Sequence, residues 1–189
     1  MIGAIVLAAG ESRRMGENKL LVEIEGRRMI EWIISSFDDV ADELIVVLGH
    51  RPEDVVPVLK ELGARWVVNE NYAEGMVSSF KRGLDELEHC DAVFLALADQ
   101  PFVDRYFLLK AIDVWKGGAK IVSPVHEGKK GHPVLFDKSL FDEILSLEKQ
   151  EMIRDVIHRH ESEHHLVEAG EWAIMDVDTP ETLEQLTRS

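Results

Sequence analysis

The first twenty residues constrain the fold of this chain more than any other stretch. Residues 2–9 form an eight-residue apolar run, which gives way at Gly10 to a polar segment containing a second glycine, Gly16, and the cations Arg13, Arg14 and Lys19. Such a run is typical of a central parallel strand buried on both faces. Because glycines can adopt positive φ and expose backbone N–H groups, the segment after the strand is suited to holding phosphates. Glycine loops also follow the first strand of many α/β proteins that bind no phosphate, so the pattern alone leaves both interpretations open.

Two common nucleotide-binding motifs do not fit this loop. A P-loop requires Lys and Ser or Thr directly after its last glycine, whereas Gly16 is followed by Glu17. The dinucleotide fingerprint requires G-x-G-x-x-G, and residues 10–12 read G-E-S. These mismatches argue against a P-loop ATPase and against an NAD enzyme.

Strand-like and helix-like segments alternate through the first 118 residues. Strand patterns at 43–48, 65–68 and 91–98 are separated by segments whose apolar residues recur at helical spacing. This alternation predicts right-handed crossovers and an α/β fold with a mainly parallel sheet.

The pattern becomes less regular beyond Gly118. Strands are expected at 120–125 and 132–136 around a basic turn, followed by helices over 139–147 and about 151–160, a final strand or pair at about 166–177, and a helix from Thr179. Irregular additions to an α/β sheet often build an acceptor pocket. A cluster of four histidines in this half is expected to lie at a solvated helix end and not to bind metal, since their spacing matches no zinc pattern. They are His158, His160, His164 and His165.

Composition narrows the classes of partner. The net charge of −15, from 36 acidic and 21 basic residues, argues against nucleic acid, because binding a polyanion requires clustered cations. No apolar run approaches eighteen residues and no signal peptide is recognisable, so no membrane partner is expected. Cys90 is the only cysteine, which excludes an internal disulfide and favours the cytoplasm.

Two acidic positions suggest a metal site. Asp99 follows the apolar residues 92–98, and a carboxylate at the tip of a buried strand either binds a hard divalent cation or caps the next helix. Asp176 and Asp178 precede Thr179 and Pro180, which have the character of a helix N-terminus. A capped helix explains much of this second segment but not Asp178.

Residues 7–21, which read L-A-A-G-E-S-R-R-M-G-E-N-K-L-L, resemble the L-A-A-G-x-S-x-R-M-G-x-x-K-L-L loop of the MobA-like nucleotidyltransferases. The resemblance implies a Rossmann-like three-layer fold with a mainly parallel mixed sheet. It also implies that the loop wraps the triphosphate of an NTP, that Arg14 and Lys19 contact phosphates, and that the Ala-Ala-Gly backbone lies against the base.

The acidic segments also resemble motifs of this family. Residues 97–101 resemble L-x-D-Q-P, whose aspartate holds Mg²⁺, and residues 176–183 resemble D-x-D-T-P-E-D-L, with Thr182 in place of Asp. The resemblance therefore implies Asp99 and Asp178 as Mg²⁺ ligands, with Asp176 a weaker candidate.

Two further segments resemble the molybdenum cofactor cytidylyltransferase branch. Residues 69–84 are similar to its N-x-x-x-x-x-G-M-x-x-S-x-x-x-G-L nucleotide segment, and residues 130–136 to its R-G-H-P-V-L-F acceptor segment. The branch's G-D-x-G-A-R is not kept, because residues 148–154 read E-K-Q-E-M-I-R and retain only the arginine, Arg154. This departure puts the identity of the acceptor in doubt, whereas the resemblance of the nucleotide-binding segments is unaffected.

Together these observations define a set of expectations. We expect one domain over residues 1–189, with a nucleotide part at about 1–118 and an acceptor part at about 119–178. The expected catalytic residues are Arg14, Lys19 and Asp99, and the expected acceptor-binding residues are Gly131, His132, Pro133 and Arg154. The expected nucleotide-binding residues are Leu7, Ala8, Ala9, Gly10, Ser12, Arg13, Arg14, Lys19, Asn69, Gly75, Met76, Ser78 and Ser79.

The expected reaction is Mg²⁺-dependent transfer of a nucleotidyl group from an NTP, CTP favoured, to a phosphorylated acceptor such as molybdopterin, with release of pyrophosphate. A phosphate monoester with a second pKa of about 6 is largely ionised at neutral pH, so its attack on the α-phosphorus requires no general base. Contact with a molybdoenzyme or its chaperone is a further expectation. The alternatives are GTP or a sugar phosphate as substrate, and a non-catalytic nucleotide-binding or cofactor-insertion protein.

Overall fold

The computed structural model describes residues 1–10 and 18–177. Among these residues an eight-stranded sheet carries helices on both faces, and a separate two-stranded hairpin flanks it. The strands are β1 Ile2–Ala8, β2 Glu23–Ile24, β3 Arg27–Arg28, β4 Glu43–Leu48, β5 Arg65–Val68, β6 Ala92–Leu97, β7 Ile121–His126, β8 Lys129–Lys130, β9 Val134–Asp137 and β10 His164–Glu168. The helices are α1 Met29–Ser36, α2 Pro52–Glu61, α3 Met76–Leu87, α4 Arg105–Lys116, α5 Phe141–Ser146 and α6 Ile153–Arg159.

The order of the strands places β1 at the centre of the main sheet. From one edge to the other the order is β10-β7-β9-β6-β1-β4-β5, with β8 paired to β7. β1 pairs in parallel with β4 and β6, while β9 runs antiparallel to β6 and β7. Because the chain leaves β1 for β4 on one side and later returns to β6 on the other, a topological switch point lies between β1 and β6. Ligands of open α/β sheets bind outside the carboxyl ends of the strands at such a point.

Alternate side chains of β1 enter two separate cores. Ala4 and Val6 belong to the core beneath α1, α2 and α4, whereas Ile5 and Leu7 belong to the core beneath α3, α5 and α6. This follows from the period of two along a strand, and it explains why a strand buried on both faces is apolar at every position. The expected three-layer α/β fold with a mainly parallel mixed sheet is confirmed.

Helix α3 approaches the sheet closely at Gly83. A Cβ at this position would lie 2.5 Å from Ile5 Cγ2 and 2.9 Å from Val47 Cγ2, so a larger residue would push the helix away from β1 and β4. The close approach brings the N-terminus of α3 to the carboxyl end of β1.

The elements predicted from the first half of the sequence are confirmed to within one or two residues. In the second half the predicted final strand at 166–177 is wrong in position. β10 begins at His164, ends at Glu168, and is followed by a 3-10 turn at Glu171–Ile174. β10 is an edge strand that pairs only with β7 among the described residues, so its side chains lack the apolar alternation that reveals a strand in a sequence. The predicted helix from Thr179 lies outside the described residues. Within the described ranges no helix combines the length and the apolar character needed to cross a membrane.

Candidate active site

A cavity of about 360 Å³ lies at the switch point of the sheet. The tips of β1 and β6 form its floor, and the N-terminus of α3 forms one wall. Gly75, with a φ of +105°, precedes α3 and allows the chain to turn into the helix. The lining residues are Leu7, Ala8, Ala9, Gly10, Lys19, Leu20, Tyr72, Gly75, Met76, Ser79, Leu97, Ala98 and Asp99.

Lys19 and Asp99 form an ion pair across this cavity. Lys19 Nζ donates to Asp99 Oδ2 at 2.9 Å, and the side chains are 15% and 30% exposed. Lys19 begins a 3-10 turn, Lys19–Leu21, that is capped by Asn18, whose side chain accepts a hydrogen bond from Leu20 N. A lysine ammonium can bind phosphate oxygens, and a carboxylate can bind a hard divalent cation. The ion pair therefore places a group that can bind phosphate next to a group that can bind a metal ion, which suits a polyphosphate with a bound metal.

The structure brings most of the predicted nucleotide residues to this cavity and separates two of them. Leu7, Ala8, Ala9, Gly10, Lys19, Gly75, Met76 and Ser79 line it, and so does Asp99, which was expected as a catalytic and metal-binding residue. Asn69 is buried beneath the turn before α3, where its Nδ2 donates to Ser78 Oγ at 2.9 Å and to Ser79 Oγ at 3.1 Å. Asn69 and Ser78 both line a separate cavity of about 350 Å³, together with Lys81 and Arg82. Asn69 thus holds the helix start in place rather than lining the first cavity.

Four predicted site residues lie outside the described part of the chain. They are Ser12, Arg13, Arg14 and Asp178.

Tyr72 is a lining residue that the sequence analysis missed. Its hydroxyl lies 3.3 Å from His50 Nδ1, and Gly49 leaves room for its ring, since a Cβ on that glycine would lie 2.5 Å from Tyr72 Cβ. The available signal was its place inside the 69–84 segment, directly after β5. Leu20, Leu97 and Ala98 were missed as well, because each looks like an ordinary core residue in the sequence.

The C-terminal acidic segment meets the tip of β6. Val177 N donates to Asp99 O at 2.9 Å, and Gln100 Nε2 donates to Asp176 Oδ1 at 2.7 Å. Two acids that are 77 positions apart in the sequence, Asp99 and Asp176, are therefore joined through adjacent backbone and side-chain contacts. Asp176, the weaker metal-ligand candidate, therefore lies near the tip of β6.

A second cavity, of about 540 Å³, adjoins the first and shares Gly75 and Met76 with it. Of the predicted acceptor residues, Gly131, His132 and Arg154 line it, whereas Pro133 is buried and does not. Its cations Lys130, Lys149 and Arg154 outnumber its acids in a chain that is strongly acidic. The other lining residues are Glu74, Val77, Leu95, Ser123, Val134, Gln150, Glu151, Met152, Ile153, Ile157 and His158.

Gly131 and His132 are fixed by the 3-10 turn at Glu171–Ile174. A Cβ on Gly131 would lie 1.9 Å from Ala173 O, and His132 N donates to that oxygen at 3.0 Å. Burial lowers the pKa of His132 below its ordinary value, and the charges of Asp176 and Asp99 oppose the shift. The lowered pKa favours the neutral form of the His132 imidazole.

The predicted solvated helix end is wrong for two of the four histidines. His164 and His165 lie in β10, and His164 Nε2 lies 2.9 Å from the buried Ser123 Oγ. His158 lies on α6 and lines the second cavity. His160 caps α6 and contacts Glu143 and Glu163. The spacing of the histidines in the sequence gave no indication that the chain passes from helix to strand among them.

A cavity at the switch point of a mainly parallel sheet, with a cation and an acid at its floor, is typical of α/β proteins that bind phosphorylated ligands. Residues 4–166 match the family described as MobA-like NTP transferase domain, and the chain belongs to that family. It is a nucleotidyltransferase.

Individual relatives agree with this assignment. The chain is 27% identical over 184 residues to a molybdenum cofactor cytidylyltransferase of Escherichia coli, covering 95% of this chain and 92% of that one. It is 32% identical over 132 residues to a probable molybdenum cofactor guanylyltransferase of Natranaerobius thermophilus, covering 67% and 62%.

The fold is shared with the Rv0371c protein of Mycobacterium tuberculosis. Its crystal structure has a TM-score of 0.85 and 26% identity, covering 100% of this chain and 97% of that one. A structure of Rv0371c in complex with manganese has a TM-score of 0.81 and 25% identity, covering 100% and 98%.

Proposed function

We propose that this nucleotidyltransferase moves a cytidylyl group from CTP to molybdopterin or molybdenum cofactor and releases pyrophosphate. The observation that carries the proposal is the pair of adjoining cavities: one has Lys19 and Asp99 at its floor, and the other has a cationic lining. The E. coli relative named a molybdenum cofactor cytidylyltransferase, matched over nearly the whole chain, supports the choice of substrates.

In this proposal the first cavity binds the NTP. The backbone of Ala8, Ala9 and Gly10 faces the base, and Ser79 at the start of α3 offers a hydroxyl to the base or the ribose. Lys19 stabilises charge on the leaving pyrophosphate together with Arg14, while Ser12 and Arg13 complete the loop around the phosphates. Asn69 and Ser78 take a supporting part by fixing the turn before α3.

A divalent ion, Mg²⁺ or Mn²⁺, fits the donors at the tip of β6. Within residues 1–10 and 18–177 no group of three or more His, Cys, Asp or Glu side chains is arranged to hold a metal ion. Mg²⁺ is usually bound by one or two carboxylates together with water and substrate phosphates, and Asp99 with Asp178 would supply that set. When bound, such an ion neutralises charge on the α-phosphate oxygens. The relative whose structure is described as a manganese complex supports a divalent ion.

The second cavity receives the acceptor in this proposal. Lys130 and Arg154 attract an anionic group, and the neutral His132 donates or accepts a hydrogen bond close to the reacting phosphate. The first cavity is lined only by residues between 7 and 99, and the second mainly by residues beyond 123, which supports the proposed division into a nucleotide part and an acceptor part. We place the reaction in the cytoplasm, where the product passes to a molybdoenzyme or its chaperone.

Pyrophosphate release from each of the four NTPs, measured with Mg²⁺ and either molybdenum cofactor or a sugar phosphate, tests the proposal. We expect release with CTP and molybdenum cofactor only, and no release when the acceptor is omitted. Preference for a sugar phosphate would overturn the proposed acceptor. Preference for GTP would favour the guanylyl alternative, which the 32% identity to the Natranaerobius protein supports.

A further inference from the structure

Gln100 directly follows Asp99, yet the function proposed above gives it no role. Its side chain is 7% exposed, and its Nε2 donates to Asp176 Oδ1 at 2.7 Å. Its Oε1 is buried with no hydrogen-bond partner among the described residues. Because buried polar atoms are nearly always hydrogen-bonded, an unpaired amide oxygen beside an active site requires an explanation.

Packing does not explain the amide. An apolar side chain of similar length would fill the same space without leaving a buried oxygen unpaired. The amide orientation is fixed as well, because turning Oε1 toward Asp176 would set two acceptors against each other. What a glutamine offers at this position is therefore its N–H donor toward Asp176.

The Gln100 donor fixes the position of the Asp176 carboxylate, which is exposed to solvent and would otherwise be free to change its conformation. Asp176 is exposed, whereas its neighbour Val177 is fully buried and bonds through its N–H to Asp99 O. The backbone bond fixes the segment, and the Gln100 bond fixes the side chain. The same C-terminal stretch contacts residues of both cavities, because Val177 bonds to Asp99 of the first cavity and Ala173 O accepts a hydrogen bond from His132 N of the second.

We infer that Gln100 is a positioning residue, which holds Asp176 beside Asp99 so that the C-terminal acidic segment contributes to the divalent-metal site. The inference rests on the proposed function, since it assumes that the ion binds at the tip of β6. It extends that function by giving Asp176, and not Asp178 alone, a part in metal binding.

A titration with Mn²⁺ alone tests the inference without turnover. Binding is measured as the loss of the electron paramagnetic resonance signal of the free ion. Gln100→Met removes the donor, and Gln100→Glu keeps the shape but presents only acceptors. Loss of a partner that orients a metal ligand weakens affinity by about tenfold or more, and we expect this in both variants and in Asp176→Ala. The double variant Gln100→Met/Asp176→Ala should bind no more weakly than Asp176→Ala, because Gln100 acts through Asp176.

Controls separate the possible outcomes. Glu171→Gln removes an exposed negative charge from the same segment and should leave Mn²⁺ affinity unchanged. If the Gln100 variants melt at a lower temperature but keep wild-type affinity, Gln100 only packs and the inference is overturned. If Gln100→Met does not fold, unchanged affinity in Gln100→Glu or in Asp176→Ala overturns it equally. If wild-type protein binds no Mn²⁺, or Asp99→Ala has no effect, the proposed function fails instead.

Discussion

Lys19 connects the segment that follows β1 to the tip of β6. Its Nζ lies 2.9 Å from Asp99 Oδ2, and its side chain is mostly shielded from solvent. The two charges neutralise each other in this structure. A bound triphosphate and its cation would therefore replace an existing ion pair. This arrangement limits the cost of holding an acid at the end of a buried strand.

Replacing Lys19 tests its proposed contact with the triphosphate. Hydrogen bonds to charged groups contribute about 1.5–3 kcal/mol, so Lys19→Met should weaken NTP binding by about ten- to hundredfold. Titration calorimetry with the preferred NTP measures the change. Lys60→Met, an exposed residue in the last turn of α2, alters net charge equally and should bind NTP normally. Equal affinity in both variants would exclude Lys19 from the phosphate site.

His164 makes stability depend on pH in the acid range. Burial, aided by the positive charge of Lys130, lowers its pKa to about 4, whereas a histidine in the unfolded chain titrates near 6.5. Its contribution is therefore fully present above pH 6.5 and is lost as the pH falls toward 4, because the unfolded state binds the proton more readily.

Urea unfolding at two pH values measures the effect of His164. Discounting for its partial exposure, wild-type protein should lose about 1 kcal/mol more than His164→Gln between pH 7.5 and pH 5. His160 provides a control of opposite sign, since Glu163 and Glu143 raise its pKa. The contribution of His160 is present below pH 6.5 and is lost as the pH rises through its folded pKa, so His160→Gln should cost more stability at pH 5.5 than at pH 8.5. Identical pH profiles for wild type and His164→Gln would contradict the assignment.

At the scale of elements, the connection between β8 and β9 depends on Gly131, which packs directly against the backbone of Ala173. Gly131→Ala would place a Cβ 1.9 Å from Ala173 O, a backbone atom that moves only if the 3-10 turn moves. We expect a loss of about 2 kcal/mol or more in unfolding free energy, measured by urea denaturation. Gly170→Ala in the same region meets only the Trp172 side chain and should cost less. Equal losses would mean that the contact at Gly131 is readily relieved.

The same elements show how far sequence reasoning reaches. β1, β4 and β5 were predictable because they are apolar runs bounded by turn residues, and Asp99 was predictable as the acid that ends β6. β10 was mislocated because an edge strand with mostly exposed side chains has no apolar period. Tyr72 and Gln100 were missed because their roles depend on what the fold brings beside them, Gly49 for the tyrosine and Asp176 for the glutamine.

At the scale of the whole molecule, the site is a consequence of the order of the strands. β1 and β6 are neighbours in the sheet, but 83 residues lie between the end of one and the start of the other, so their carboxyl ends can carry unrelated side chains. The chain leaves the tip of β1 for the segment that carries Lys19, and Asp99 follows the last residue of β6 by two positions. The return of the chain at Val177 brings Asp176 to the same edge. In a chain with a net charge of −15, the second cavity has three cations and two acids in its lining.

We propose that Asp99 is the residue on which nucleotidyl transfer depends most directly. Asp99→Asn keeps the side-chain shape and leaves an oxygen for Lys19, so its melting temperature should stay close to that of wild type. Pyrophosphate release from the preferred NTP and acceptor should fall by at least about a hundredfold, as is typical when a charge-stabilising group is lost. Release at the wild-type rate by folded Asp99→Asn protein would contradict the account.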